Sequence, residues 1–116
     1  MNKRAIGKKI EDSTIKYLED CGYQILERNY QIRSGEIDII ARESSYLVFL
    51  EVKYRKNKSM GYAQEAVTIH KQRKIIQTAK HYLLTHGISF DVPCRFDVVA
   101  VNGSEITVIK DAFGLS

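Results

Sequence analysis

The chain has 116 residues with a formal net charge of +4, and apolar types make up 44% of it against 28% charged. That length suits one domain with one modest core, and the balance is that of an ordinary globular protein. No apolar run approaches the roughly 20 residues that span a bilayer, and the start MNKRAIGKKIEDS has basic residues but no apolar signal core.

Residues 4–21 place Ile6, Ile10, Thr14, Tyr17, Leu18 and Cys21 at three- and four-residue steps, with Gly22 as a stop, which predicts a helix. At about 100° per residue, Glu11 falls between Ile15 and Leu18, on the rim of the apolar stripe. Strands are predicted over 23–30 (YQILERNY), 36–41 (EIDIIA) and 46–55 (YLVFLEVKYR). The third is the longest and most apolar and is expected at the centre of a sheet. After a polar loop, AQEAV (63–67) suggests a short helical piece, and Thr68 is a fitting N-cap for a helix over 69–86. Within it Ile69, Gln72, Ile75, Ile76, Ala79, Tyr82 and Leu83 share a face, which turns Gln72 inward. RFDVVAV (95–101) and EITVIK (105–110) are strands joined by NGS, a hairpin signal. The order α-β-β-β-α-β-β predicts one α/β domain over 1–116, a mixed sheet of about five strands flanked by helices.

Two thiols, Cys21 and Cys94, lack CxxC spacing, so disulfides are not expected and a reducing cytoplasm is the expected location. His70, His81 and His86 share no helix face, and a zinc site is not expected from them.

The stretch GEIDIIARESSYLVFLEVKYR (35–55) raises the chemical question, because acids and a lysine interrupt its apolar runs. Charges in such places are costly unless paired, hydrogen-bonded or bound to metal. Residues i and i+2 of a strand share a face about 6.5 Å apart. Glu51 and Lys53 therefore point one way with Leu47 and Phe49, and Glu36 and Asp38 point together. That face of the third strand passes from apolar to charged toward its end, as a core gives way to a pocket. If the second and third strands pair as a hairpin, Asp38 approaches Glu51. Two carboxylates about 4 Å apart repel by roughly 4 kcal/mol at an effective dielectric near 20. Lys53 offsets part of this, and a hard cation such as Mg²⁺ offsets more. The residues alone leave a plain salt bridge open as the alternative.

KYRKNKS (53–59) and HKQRK (70–74) put Arg55, Lys56, Lys58, Lys71 and Arg73 around these acids. Basic flanks about an acidic centre suit a polyanion, with phosphate contacts that position without reading sequence.

RNY, GEIDIIARESSYLVFLEVKYR, AQEAVTIHKQRKI and RFDVVAV together closely resemble the YraN-type uncharacterised proteins. These belong to the endonuclease-like PD-(D/E)xK superfamily, which includes archaeal Holliday-junction resolvases and restriction enzymes. The resemblance runs from about Gly7 to Val101. It implies a restriction-endonuclease-like fold, with Asp38 as the first acid and Glu51 and Lys53 as the ExK pair. It further implies Mg²⁺ or Mn²⁺ held by Asp38, Glu51 and the Val52 carbonyl. Glu11 matches the helix glutamate of the resolvase branch, and Glu36 and Gln72 are expected to support the shell. The implied function is metal-dependent cleavage of nucleic-acid phosphodiesters, DNA favoured over RNA, on branched or damaged DNA among the candidate substrates, with a homodimer left open. A nucleic-acid-binding module that kept the fold without catalysis is the rival. Ile10 and Thr14 depart from the small residues usual in this pattern, which puts the placing of Glu11 in question.

Overall fold

In the computed structural model, which describes residues 3–55 and 67–114, the predicted order of elements is found. Lys56, Lys58 and most of AQEAV lie outside the described residues, and of Arg55 only the backbone is described. Helix α1 (Lys3–Asp20) buries Thr14 and Leu18 and stops where Gly22 takes a φ of 100°. The Tyr23 and Gly22 N–H groups donate to the Leu18 and Glu19 carbonyls, each at 3.0 Å, closing the helix end. Strands β1 (Gln24–Ile32), β2 (Gly35–Glu43) and β3 (Tyr46–Arg55) form an antiparallel meander. Helix α2 (Ile69–Thr85) then crosses over to β4 (Cys94–Asn102), which runs parallel to β3. Strand β5 (Glu105–Phe113) returns through the Gly103-Ser104 turn, where Gly103 has a φ of 62°. The sheet order is β1-β2-β3-β4-β5 with β3 central, an α/β arrangement consistent with a restriction-endonuclease-like fold.

The two helices cover opposite faces. Leu47, Phe49, Phe96 and Val98 pack with Ile75, Ala79, Tyr82 and Leu83 of α2. The alternate residues Val48, Leu50, Val99 and Val101 pack with Leu18 of α1. Helix α2 begins at Thr68, whose hydroxyl accepts the Lys71 N–H at 3.2 Å, as an N-cap should. Its buried stripe differs from the predicted one: Thr78 is buried, whereas Ile69 is exposed. Gln72 does not enter the core; its amide donates to the Val67 carbonyl at 3.0 Å. The reason is the cap, which uses Gln72 to hold the chain just before the helix. Gly35 lies directly under α2, where a Cβ would come 2.4 Å from Thr78 Oγ1 and 3.5 Å from the Lys74 carbonyl oxygen. Among the described residues no helix is long and apolar enough to cross a membrane.

A second charged cluster joins four strands and the exit of α1. Asp97 of β4, 0% exposed, accepts from Arg95 Nε and Nη2 at 2.9 Å each, Tyr23 Oη at 2.7 Å and the Asp111 N–H at 3.0 Å. Arg95 also meets Glu43 of β2 at 2.9 Å and lies over the Tyr46 ring. Asp111 itself has a φ of 53°, inside the stretch of β5 where the register with β4 shifts, so the Asp97 carboxylate pins a β-bulge. Its lone pairs are filled, as a buried charge requires.

Candidate active site

Asp38 sits where two strands stop alternating. In a regular strand Ile37 and Ile39 would share a face, yet Ile37 packs on the α2 side and Ile39 on the α1 side. The neighbouring strand does the same. Arg28 reaches Glu11 and Asp12 of α1, whereas the Tyr30 ring lies edge-on to Tyr82 of α2. The pairs Arg28↔Ile39 and Tyr30↔Ile37 leave Asn29 opposite Asp38, and Asn29 has a φ of 54°. Asparagine is among the few residues that take this left-handed backbone readily. The break explains why EIDII carries apolar residues at 37, 39 and 40 with an acid between them. Across this switch i, i+2 counting no longer fixes which way Asp38 points relative to Glu36, though the Glu36 charge still acts to raise the Asp38 carboxyl. Glu36 is exposed on its own pair, accepting from Gln31 Nε2 at 3.0 Å.

At the same point β2 and β3 part. Their register runs from Glu43↔Tyr46 to Ile39↔Leu50, and beyond it the Asp38 carboxylate accepts the Val52 N–H at 2.8 Å. Glu51, 5% exposed, follows the face of Leu47 and Phe49 toward α2, as the alternation predicted. There Lys71 Nζ stands 2.7 Å from Glu51 Oε1 and Lys53 Nζ 3.8 Å from the same oxygen. A cavity of about 360 Å³ gathers Glu11, Asp38, Glu51, Val52, Lys53 and Lys71, with Asn29 and Tyr54 on its wall. A wider cleft adjoins it and shares Glu11, Arg28, Asn29 and Tyr54.

The electrostatics follow from burial. Loss of water and the nearby Glu51 charge push the Asp38 carboxyl up to about 6, against the pull of the Val52 N–H. Burial draws the Lys71 ammonium down, but its contact with Glu51 prevails and holds it above the ordinary lysine value. Burial, with the Glu11 and Asp38 charges behind it, raises the Tyr54 phenol.

Glu11 thus reaches the predicted cavity, but its carboxylate faces the Arg28 guanidinium at 3.6 Å. Among the described residues no three acids, histidines or cysteines converge at metal-ligand spacing. Gln72 and Arg73 line a separate hollow with Ile76 and Lys80, and the hydrogen bond that the Gln72 amide makes goes to the Val67 carbonyl. Lys71, expected at a phosphate, is also the nearer cation on Glu51. Two signals bore on what was missed. Asparagine is depleted in strands, which marks Asn29. A lysine in the first turn of a helix opposes the helix dipole, which marks Lys71.

The family model described as "Uncharacterised protein family UPF0102" matches residues 10–101. A UPF0102 protein of Lachnoclostridium phytofermentans is 55% identical over 113 residues, covering 97% of this chain and 96% of its own length. One of Desulforapulum autotrophicum is 46% identical over 115 residues, with 96% and 94% covered. A third, of Legionella pneumophila strain Corby, is 41% identical over 109 residues, with 92% of each covered. Glu11, Asn29, Asp38, Glu51, Lys53 and Lys71 all lie inside the matched segment, and the chain belongs to the UPF0102 family of YraN-type proteins.

Proposed function

We propose that this chain is a Mg²⁺- or Mn²⁺-dependent nuclease acting on nucleic-acid phosphodiesters, with DNA the favoured substrate. The observation that carries the reading is the opening of the sheet at Asp38 and Val52, which brings Asp38, Glu51 and Lys53 onto one cavity. Two carboxylates offer hard oxygen donors. That is the small protein share on which Mg²⁺ relies, with waters and phosphate oxygens as its other ligands. Asp38, Glu51 and the Val52 carbonyl would hold the ion, whose charge would offset the burial and the neighbouring Glu51 charge that raise the Asp38 carboxyl. When bound, the ion supplies charge to a phosphoryl oxygen and lowers the pKa of water. Lys53 orients the attacking water and meets charge developing on phosphorus. Glu11 acts from the rim through Arg28. Arg55, Lys56, Lys58 and Arg73 contact backbone phosphates, which positions the strand without reading its sequence.

The Lys71–Glu51 contact favours a second reading, a nucleic-acid-binding module whose acids are compensated from within. Purified protein incubated with branched, single-stranded and duplex DNA and with RNA, in Mn²⁺ against EDTA, separates the two. Cleavage of at least one substrate in Mn²⁺ alone is expected. Binding without cleavage throughout favours the module.

Asp38 also makes a prediction about stability. Its folded value, about 6, is above the ordinary carboxyl value near 4, so the folded protein binds the extra proton between them. This contribution is fully present below pH about 4 and is lost as pH rises through about 6. Asp38→Asn should therefore stabilise the metal-free protein at pH 7, by roughly 1–3 kcal/mol, and flatten its pH profile across that window. The same change should erase the gain in melting temperature that Mn²⁺ gives the parent. Equal Mn²⁺ stabilisation of mutant and parent would remove Asp38 from the site.

A further inference from the structure

Two ammonium groups compete for one carboxylate oxygen. Lys71 Nζ is 2.7 Å from Glu51 Oε1, and Lys53 Nζ is 3.8 Å from it. The pair is unequal in freedom as well. The Lys71 side chain is 42% exposed and that of Lys53 16%, while Glu51 is held at 6%. Lys71 stands in the first turn of α2, its own N–H given to the Thr68 hydroxyl, where a cation opposes the helix dipole. Such a placement needs a local reason, and Glu51 provides one. The side chain is a flexible four-carbon stem ending in a compact charge, so it can leave without moving the helix.

We infer that Lys71 is a resident counter-ion for Glu51 that yields the carboxylate to a divalent metal and then serves a nucleic-acid phosphate. This rests on the metal-dependent reading above and adds its regulation. A divalent ion and the Lys71 ammonium compete for the same oxygen, so metal entering alone must displace a well-placed cation. Metal arriving with a phosphodiester displaces it more readily, because the incoming phosphate gives Lys71 a new partner. By linkage, substrate and metal then strengthen one another's binding. The free protein keeps its acids quiet, and the site assembles on nucleic acid.

Calorimetric titration of Mn²⁺ into the parent, Lys71→Gln, Lys71→Arg and Lys53→Gln proteins tests this without any cleavage assay. Lys71→Gln should bind Mn²⁺ at least about tenfold more tightly than the parent, since it removes a charge in direct contact with the acceptor. Lys71→Arg should stay near the parent value. Lys53→Gln, the same loss of charge at longer range, should change it less. Mn²⁺ binding to Lys71→Gln no tighter than to the parent overturns the inference, and so does an equal gain in Lys53→Gln, but either leaves the metal site standing. No Mn²⁺ bound by any of the four proteins overturns the metal-dependent reading and this inference with it.

Discussion

Lys53→Ala is expected to lower metal-dependent cleavage by roughly 100-fold or more while nucleic-acid affinity and stability change little. One well-placed electrostatic group is worth about 3 kcal/mol in a transition state. Lys53 is one charge among several basic ones around the cavity, so affinity loses only a small share. Stability is protected by an arrangement that the strand alone does not reveal. Glu51 keeps Lys71 at 2.7 Å when Lys53 is gone, so no buried carboxylate is left unpaired. Had Lys53 been the sole counter-charge, its removal would have cost roughly 3–5 kcal/mol. Cleavage, affinity and melting temperature measured on one mutant therefore separate a chemical role from a structural one. A Lys53→Ala protein that melts much earlier, beside a parent that shows no metal-dependent cleavage, would end the nuclease reading.

The largest stability effect should come from the other charged cluster. Asp97→Ala leaves the Arg95 guanidinium with Glu43 as its one carboxylate partner among the described residues, and the Tyr23 hydroxyl and Asp111 N–H without their acceptor. Breaking a buried pair from one side costs roughly 3–5 kcal/mol. In a domain of this size that lowers the melting temperature by roughly 10 °C or more. Hydrogen exchange should show the β5 bulge near Asp111 opening first. A melting temperature within about 3 °C of the parent's would mean that the network is not holding the sheet together.

The fold was legible because its signals are local. The helix stop at Gly22, the Thr68 cap and the NGS hairpin each act within a few residues. The face of Glu51 was legible too, because β3 alternates regularly up to it. The approach of Asp38 to Glu51 was legible as well, but the backbone break beside Asp38 was not. Strand counting presumes an unbroken pleat, and the pleat breaks at Asn29 and Asp38 together. The Asp97 cluster was not foreseen at all, since it brings together residues from α1's exit, β2, β4 and β5 that only the sheet order makes neighbours. Gln72 was misjudged for a related reason. Helical periodicity gives a direction but does not show that the Val67 carbonyl waits there for its amide.

Gly35 sets a mechanical condition on all of this. Helix α2 is a stiff rod that bears on the sheet at Thr78, two turns from Lys71 and about 10 Å along its axis. The bearing surface is a glycine, and even one methyl group there would press on Thr78 Oγ1. Tightly packed interiors pass such pressure along rather than absorb it. Lifting the rod at this fulcrum would draw its near end away from β3 and lengthen the reach from the Lys71 ammonium to Glu51. The close seating of the helix that carries Lys71 thus relies on a side chain that is not there.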